Sequence, residues 1–437
     1  MPVERSRIRS LWVAAAVGFA SVGAAFLVGR RDLCGPLLIL AFASLALYCR
    51  SRPVLRGFTF TAWVFTFVSA SMAYPWAFMT WFGFDLVVLI VPLIQIIMFG
   101  MGTTLSVADF SRVARMPWPV FIGFVLQFSI MPLTALTLAK VFGFEPEVAA
   151  GVVLIGSVPG GVASNVMTYL AGGNVPLSVT MTACSTLASP VMTPFLMRTL
   201  AGRFVDIEFV KMMFEIINMI IVPIVAGLIA NRILYGRQKS FQQGRIVLLI
   251  GLGGVAAGVC IALLAPSAVL TWRNVVLKKD GFVVGTLLVG LVSLTKVVVS
   301  IGLKRASNWM DRTLPVVSMA GIVLIIAIIT ARSAEKLMTV GIHLVGAAML
   351  LNLVGYLLGY GCARIMRLDE SSCRTVAIEV GMQNGGMASG LAIDVLKSAP
   401  AALAPAVFGP WMNISGSILA TWWHRKPATR GPGSKTR

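Results

Sequence analysis

Long apolar stretches follow one another along almost the whole chain, separated by short polar or basic loops. Each stretch is close to the length of about 20 residues that an α-helix needs to cross the hydrocarbon layer of a bilayer. Fourteen spans are predicted, at 11–28, 33–49, 58–81, 86–105, 117–139, 148–172, 176–197, 209–231, 246–265, 281–301, 314–330, 339–361, 375–396 and 403–423. The pattern therefore predicts an all-α polytopic membrane protein.

Composition supports this interpretation and narrows the possible partners. Of the 437 residues, 58% are apolar and 12% are charged, with a mean hydropathy of +0.89, which is too apolar for one soluble core. The net charge of +20 is spread over the loops between spans instead of forming one basic patch, so we expect a lipid bilayer and no nucleic acid as partner.

The basic residues also predict an orientation. Alternate loops, including both termini, contain 23 Lys and Arg residues, whereas the opposite loops contain 12. Because basic loops stay on the inner side, both termini are predicted to be cytoplasmic. The chain begins with no Ser-rich, acid-poor leader of the organelle type, which favours a bacterial inner membrane.

Two spans are interrupted by glycine and polar residues. Both the segment 157–165 and the segment 379–390 contain Gly-Gly-x-Ala-Ser, and they fall in the sixth and thirteenth spans. An odd separation makes these two spans run in opposite directions, which is typical of an inverted repeat. Broken backbone at membrane depth is tolerated where it lines a cavity or binds a ligand, so both breaks are candidate binding elements.

Glu379 is the ionisable residue that points most directly to a site, since carboxylates inside a membrane are costly and normally paired with a cation. A bound Na⁺ would serve, because hard cations prefer oxygen ligands. Gln383 and the carbonyls of Val380 and Met382 could supply oxygens if the helix unwinds there. A protonated Glu379, hydrogen-bonded in a helix interface, is the structural alternative.

Further oxygens occur near the first break. Ser164 and Asn165 lie within it, Ser178 and Thr182 share one face of the next span, and Gln127 interrupts an apolar stretch. A single hydroxyl in a helix more often bonds to its own backbone than to an ion. The prediction of a cation site therefore rests on the combination.

Four motifs together resemble those of the bile acid:sodium symporter family: Met98-Phe-Gly-Met-Gly102, Pro159-Gly-Gly161 with Ser164-Asn165, Ser178 to Thr182, and Glu379-Val-Gly-Met-Gln-Asn384. The resemblance covers about 58–231 and 314–423. It implies a ten-helix core of two inverted five-helix repeats with crossed, broken helices, here with two extra helical hairpins. The division is then an extra hairpin at 1–57, the first repeat with the first helix of the second at 58–236, an inserted hairpin at 237–313, the remaining second repeat at 314–423 and a basic cytoplasmic tail at 424–437.

The resemblance also implies ligands. Two sodium ions are expected, one held by Ser164, Asn165, Ser178, Thr182 and Glu379, the other by Gln127, Glu379, Val380, Met382 and Gln383. The expected substrate is an organic anion, either a small carboxylate or a bile-acid-like molecule. Its candidate contacts are Asn165, Asn384, Gly160, Gly161, Gly385 and Gly386.

The expected function is sodium-coupled symport of that anion by alternating access. Two alternatives stay open: a sodium-independent anion exporter or channel, and a sodium/proton antiporter of related fold, although the intramembrane aspartate pair typical of such antiporters is not evident in the sequence. An enzyme is not expected, because His343 and His424 are isolated and no nucleophile, base and acid arrangement is apparent.

Overall fold

The computed structural model describes residues 2–52, 55, 58–106, 115–236, 238–264, 279–302 and 309–425. The predicted tail at 424–437 lies outside these residues beyond Arg425. The helices, in chain order, are α1 (Pro2–Leu27), α2 (Arg31–Ser51), α3 (Thr59–Ala73), α4 (Ile90–Thr104), α5 (Pro117–Val141), α6 (Pro146–Ser157), α7 (Ala163–Leu170), α8 (Val175–Leu196), α9 (Phe209–Ile216), α10 (Val222–Tyr235), α11 (Lys239–Gln242), α12 (Gly244–Leu264), α13 (Lys279–Lys296), α14 (Trp309–Arg332), α15 (Ala334–Ile365), α16 (Glu370–Gly381), α17 (Gly385–Asp394) and α18 (Ala399–His424).

Each of the fourteen predicted spans corresponds to one or two of these helices. Within the described residues, nine helical segments are long and apolar enough to cross a membrane. The other five predicted spans correspond to α3, to α14, to α18 and to two broken pairs, α6 with α7 and α16 with α17. Short π-helical turns extend α8 and α13 and join α9 to α10. The chain is therefore a multi-pass helical membrane protein.

The third predicted span, 58–81, is wrong at its end. Helix α3 stops at Ala73, and Pro75, which has no backbone N–H to donate, begins a short 3₁₀ turn at Pro75–Phe78. A small hairpin of β1 (Thr80–Trp81) and β2 (Phe84–Asp85) follows. Its two turn residues, Phe82 and Gly83, have φ of 51° and 82°, and positive φ at both positions is what a type I′ hairpin turn requires.

The two extra hairpins pack onto neighbouring helices. Helix α1 packs on α2, and α2 on α3, while α12 packs on α13, and α13 on α4 and α10. Glycines permit the close approach of α12 and α13: a Cβ atom at Gly290 would lie 2.7 Å from the Val255 nitrogen and 2.9 Å from the Gly251 oxygen. Small residues play this part commonly between membrane helices.

Lys296, at the end of α13, attaches the inserted hairpin to α10. Its side chain is 7% exposed, and Nζ donates to the carbonyl oxygens of Ile233 (2.6 Å), Leu234 (3.2 Å) and Phe241 (2.8 Å). The last carbonyls of a helix have no partner within the helix and carry partial negative charge. A lysine ammonium is therefore well suited to this position.

We expect Lys296→Met to lower the midpoint temperature of thermal unfolding in detergent. Buried carbonyls would lose their donor, and a hydrogen bond to a charged group contributes about 1.5–3 kcal/mol. Lys211→Met is the matched control, because Lys211 is half exposed and forms an ion pair with Glu208 at 3.1 Å. An equal midpoint for both variants would contradict the docking role of Lys296.

Candidate functional site

The two breaks cross each other, and their unwound backbones form hydrogen bonds with one another. The Gly161 nitrogen donates to the Met382 oxygen at 3.1 Å, and the Asn384 nitrogen donates to the Pro159 oxygen at 2.9 Å. Gly160 lies opposite Gln383 as an antiparallel bridge. Backbone groups released by each break therefore find partners in the other, which removes the large cost of leaving them unpaired in the membrane.

Glycine is required at the crossing for space. A Cβ atom at Gly161 would lie 2.7 Å from the backbone oxygen of Gln383, and one at Gly160 would lie 3.0 Å from Glu379 Oε2. The Gly-Gly pair of the first break thus permits the second break to approach within hydrogen-bonding distance. It also places the carboxylate of Glu379 directly beside the first break.

Glu379 lies at the centre of this crossing with 2% of its surface exposed. Ser164 Oγ donates to its Oε1 at 2.6 Å, Ser178 Oγ also donates to Oε1, and Thr182 Oγ1 donates to Oε2 at 2.8 Å. Ser178 is in addition 2.8 Å from Asn165 Oδ1. The structure thus brings together all five side chains predicted for the first sodium site.

The chemistry of these groups fits a hard monovalent cation. Ser164 Oγ also lies 2.6 Å from the Gly161 oxygen, and Thr182 Oγ1 lies 3.1 Å from the Ser178 oxygen. A hydroxyl has one proton, so if Ser164 and Thr182 donated theirs to these carbonyls instead of to Glu379, their oxygens would be available to a cation beside the carboxylate. Hydroxyl, amide and carboxylate oxygens are the ligands that hard cations prefer.

The residues predicted for the second sodium site also meet at the crossing. Gln127 Nε2 donates to Gln383 Oε1 at 2.6 Å and to the Val158 oxygen at 3.0 Å, while Gln383 Nε2 donates to the Val380 oxygen at 2.6 Å. The Met382 oxygen is the acceptor for Gly161, as described above. In this conformation these groups bond to one another, so an ion here would have to replace part of that network.

The candidate substrate residues differ in which hydrogen-bonding groups remain available to an anion. Asn384 Oδ1 caps α17 by accepting from the Met387 nitrogen at 3.0 Å, and its buried Nδ2 has no hydrogen-bond partner in the described part of the chain. The Gly161 N–H is engaged at the crossing. Gly385 and Gly386 form the first turn of α17, whose N-terminal end attracts anions. Asn384 with the start of α17 is therefore the better placed candidate for an anionic group.

Sequence reasoning missed a polar support behind the second break. Asn352, on α15, is buried and donates from Nδ2 to the Gly381 oxygen at 2.7 Å, while its Oδ1 accepts from Ser415 Oγ. This fixes the last carbonyl before the break. An Asn within an apolar span was a usable signal, because such residues seldom lie at membrane depth without a partner.

Comparison with known proteins finds similarity to sodium-dependent transporters. The family model of the sodium bile acid symporters matches residues 91–271. The uncharacterized sodium-dependent transporter YocS of Bacillus subtilis is 34% identical over 381 residues, covering 87% of this chain and 95% of its own. A probable chloroplastic sodium/metabolite cotransporter of Arabidopsis thaliana is 28% identical, covering 76% and 66%. The rabbit (Oryctolagus cuniculus) ileal sodium/bile acid cotransporter is 30% identical, covering 68% and 67%.

Among solved structures, a sodium proton antiporter of Methanocaldococcus jannaschii is similar at a TM-score of 0.45 and 14% identity, covering 98% of this chain and 99% of its own. A likeness at that level carries no information about function.

Proposed function

Because this chain belongs to the sodium bile acid symporter family, a family of sodium-dependent transporters, we propose that it carries an organic anion into the cell together with Na⁺ by alternating access. The observation that carries the proposal is the buried Glu379 carboxylate, surrounded by oxygens from α7 and α8 where the two broken helices cross. Sodium bound there would neutralise the negative charge of the carboxylate and connect the crossing helices.

We assign the ligands as follows. One Na⁺ is held by Ser164, Asn165, Ser178, Thr182 and Glu379, and a second by Gln127, Glu379, Val380, Met382 and Gln383. The substrate is a small carboxylate or another organic anion, and Asn384 with the N-terminal end of α17 binds its negative group. We also propose that the chain divides as the resemblance implies, with an extra hairpin at 1–57, the first repeat and the first helix of the second at 58–236, an inserted hairpin at 237–313 and the rest of the second repeat at 314–423.

With this stoichiometry the transport step is electrogenic. Two Na⁺ with one monoanion carry one net positive charge inward, because Glu379 stays in the protein. We therefore expect a membrane potential that is negative inside to accelerate uptake. It would add a driving force of about 2.3 kcal/mol per net charge for each 100 mV.

The proposal is tested by uptake of labelled small organic anions into proteoliposomes, with an inward Na⁺ gradient or with K⁺ in its place. We expect accumulation with Na⁺ only, faster with a negative interior, and absent in both Glu379→Ala and Gln383→Ala. Uptake that ignores Na⁺ would instead support an exporter or channel. Dissipation of a pH gradient on addition of Na⁺, with no anion present, would support an antiporter.

Location and orientation complete the proposal. We place the chain in a bacterial inner membrane with both termini in the cytoplasm, since its basic loops lie on the side of the termini. A fluorescent protein fused at the C-terminus should then fluoresce in the cytoplasm, whereas a periplasmic alkaline phosphatase fused there should be inactive. The reverse result would overturn the orientation.

A further inference from the structure

Arg374 is a buried cation that the sodium-site assignment does not use. It lies on α16, five residues before Glu379, and is 4% exposed. Its Nη1 donates to the Ala171 oxygen at 3.0 Å and to the Trp423 oxygen at 3.2 Å, and its Nε donates to Glu370 Oε1 at 2.9 Å. The guanidinium also stacks over the Trp423 ring, 5.7 Å from its centre.

These contacts connect the ends of three helices. Ala171 directly follows the last residue of α7, and Trp423 lies in the last turn of α18. Terminal carbonyls of this kind carry partial negative charge and have no partner within their helix. One arginine on α16 therefore holds α7 and α18 at the end of the bundle where α16 begins.

Thr375 forms a second connection beside the first. The Asn174 nitrogen donates to Thr375 Oγ1 at 2.8 Å and to the Ser371 oxygen at 3.3 Å. Asn174 in turn caps α8, because its Oδ1 accepts from the Leu177 nitrogen at 3.1 Å. The short segment 171–174, which joins α7 to α8, is thus docked onto the first turns of α16.

The docked segment connects the helices that carry the oxygens around Glu379. Helix α7 carries Ser164 and Asn165, α8 carries Ser178 and Thr182, and α16 carries Glu379 itself. We propose that Arg374 and Thr375 are positioning residues, which hold α7 and α8 against α16 and so set the affinity of the site around Glu379 for Na⁺. This inference rests on the proposed function.

The test compares four variants in Na⁺-dependent uptake. Arg374→Gln removes the charge and the forked geometry, and Arg374→Lys keeps the charge alone. Thr375→Val removes the hydroxyl that accepts from the Asn174 nitrogen and donates to the Ser371 oxygen, at nearly constant volume. Arg364→Gln is the matched control, because Arg364 is 61% exposed and approaches the same Glu370 only at 3.9 Å. For each variant, the Na⁺ concentration at half-maximal uptake and the KM for the anion at saturating Na⁺ are measured.

We expect Arg374→Gln to raise the half-maximal Na⁺ concentration about tenfold, the lower end of the effect of removing groups that orient ion ligands, while the KM for the anion at saturating Na⁺ stays unchanged. Arg374→Lys should recover part of the loss, and Thr375→Val should shift the Na⁺ dependence in the same direction. If Arg374→Gln does not fold, the half-maximal Na⁺ concentration of Thr375→Val alone tests the inference.

Three results would overturn the inference: wild-type Na⁺ dependence in the folded variants, an equal shift in Arg364→Gln, or a parallel rise in the KM for the anion. Na⁺-independent uptake by the wild type is a separate outcome, since it would overturn the proposed function and the inference with it.

Discussion

Glu379→Gln is expected to abolish uptake driven by a Na⁺ gradient while leaving the protein folded. Glutamine is nearly the same size and can still accept hydrogen bonds from Ser164 and Ser178, so the crossing keeps its packing. It has no charge to offset Na⁺. Losing one partner of a buried ion pair costs about 3–5 kcal/mol, which corresponds to at least about 100-fold in Na⁺ affinity. Initial uptake rates across a series of Na⁺ concentrations measure the effect.

A matched variant separates this effect from a general loss of negative charge. Glu335→Gln removes an exposed carboxylate at the start of α15 and should leave the Na⁺ dependence unchanged. Elution volume in gel filtration and thermal unfolding in detergent report whether each variant is folded. Folded Glu379→Gln protein with normal Na⁺-driven uptake would refute the role assigned to the carboxylate.

Gly161→Ala is expected to cost both stability and transport. The added Cβ would lie 2.7 Å from the Gln383 oxygen, which is backbone at the crossing and cannot rotate away. Overpacking of this kind typically costs about 1–3 kcal/mol, and the displacement would also disturb the hydrogen bond from Gly161 to Met382. Thermal unfolding in detergent and Na⁺-dependent uptake measure the two consequences.

Gly386→Ala is the control for this change, because Gly386 lies in the Gly-Gly pair of the second break with more space around it. A Cβ atom there would lie 3.7 Å from Asn384 Oδ1, an ordinary contact distance. We expect a midpoint temperature close to that of the wild type. If the two alanine variants are equally stable, close approach of the two breaks is not what requires glycine at position 161.

The sequence predicted the spans well because each is a local property. A long apolar stretch makes a membrane helix with little help from its neighbours, and the glycine-rich segments interrupt their helices where predicted. The third span failed because the apolar, aromatic residues between Pro75 and Phe84 satisfy a hydropathy criterion while forming a turn and a small hairpin. Hydropathy alone does not distinguish an apolar turn from an apolar helix.

The contacts that build the site could not be read from local pattern. The pairing of Ser164 with Glu379 joins residues 215 positions apart, and Gly161 pairs with Met382 over a similar distance along the chain. Family resemblance supplied the ligand sets, and the structure supplied their neighbours, including Asn352 behind the second break and Arg374 at the start of α16. Arg374 falls one residue before the predicted span 375–396, and nothing near it in sequence indicates the carbonyls to which it donates.

The most direct test of a sodium site at the crossing is equilibrium binding of radioactive sodium to the purified protein, with Glu379→Gln measured in parallel. We predict saturable binding to the wild type that excess K⁺ does not displace and that is lost in the folded variant. Absence of saturable binding to the wild type, or equal binding to Glu379→Gln, would contradict the account.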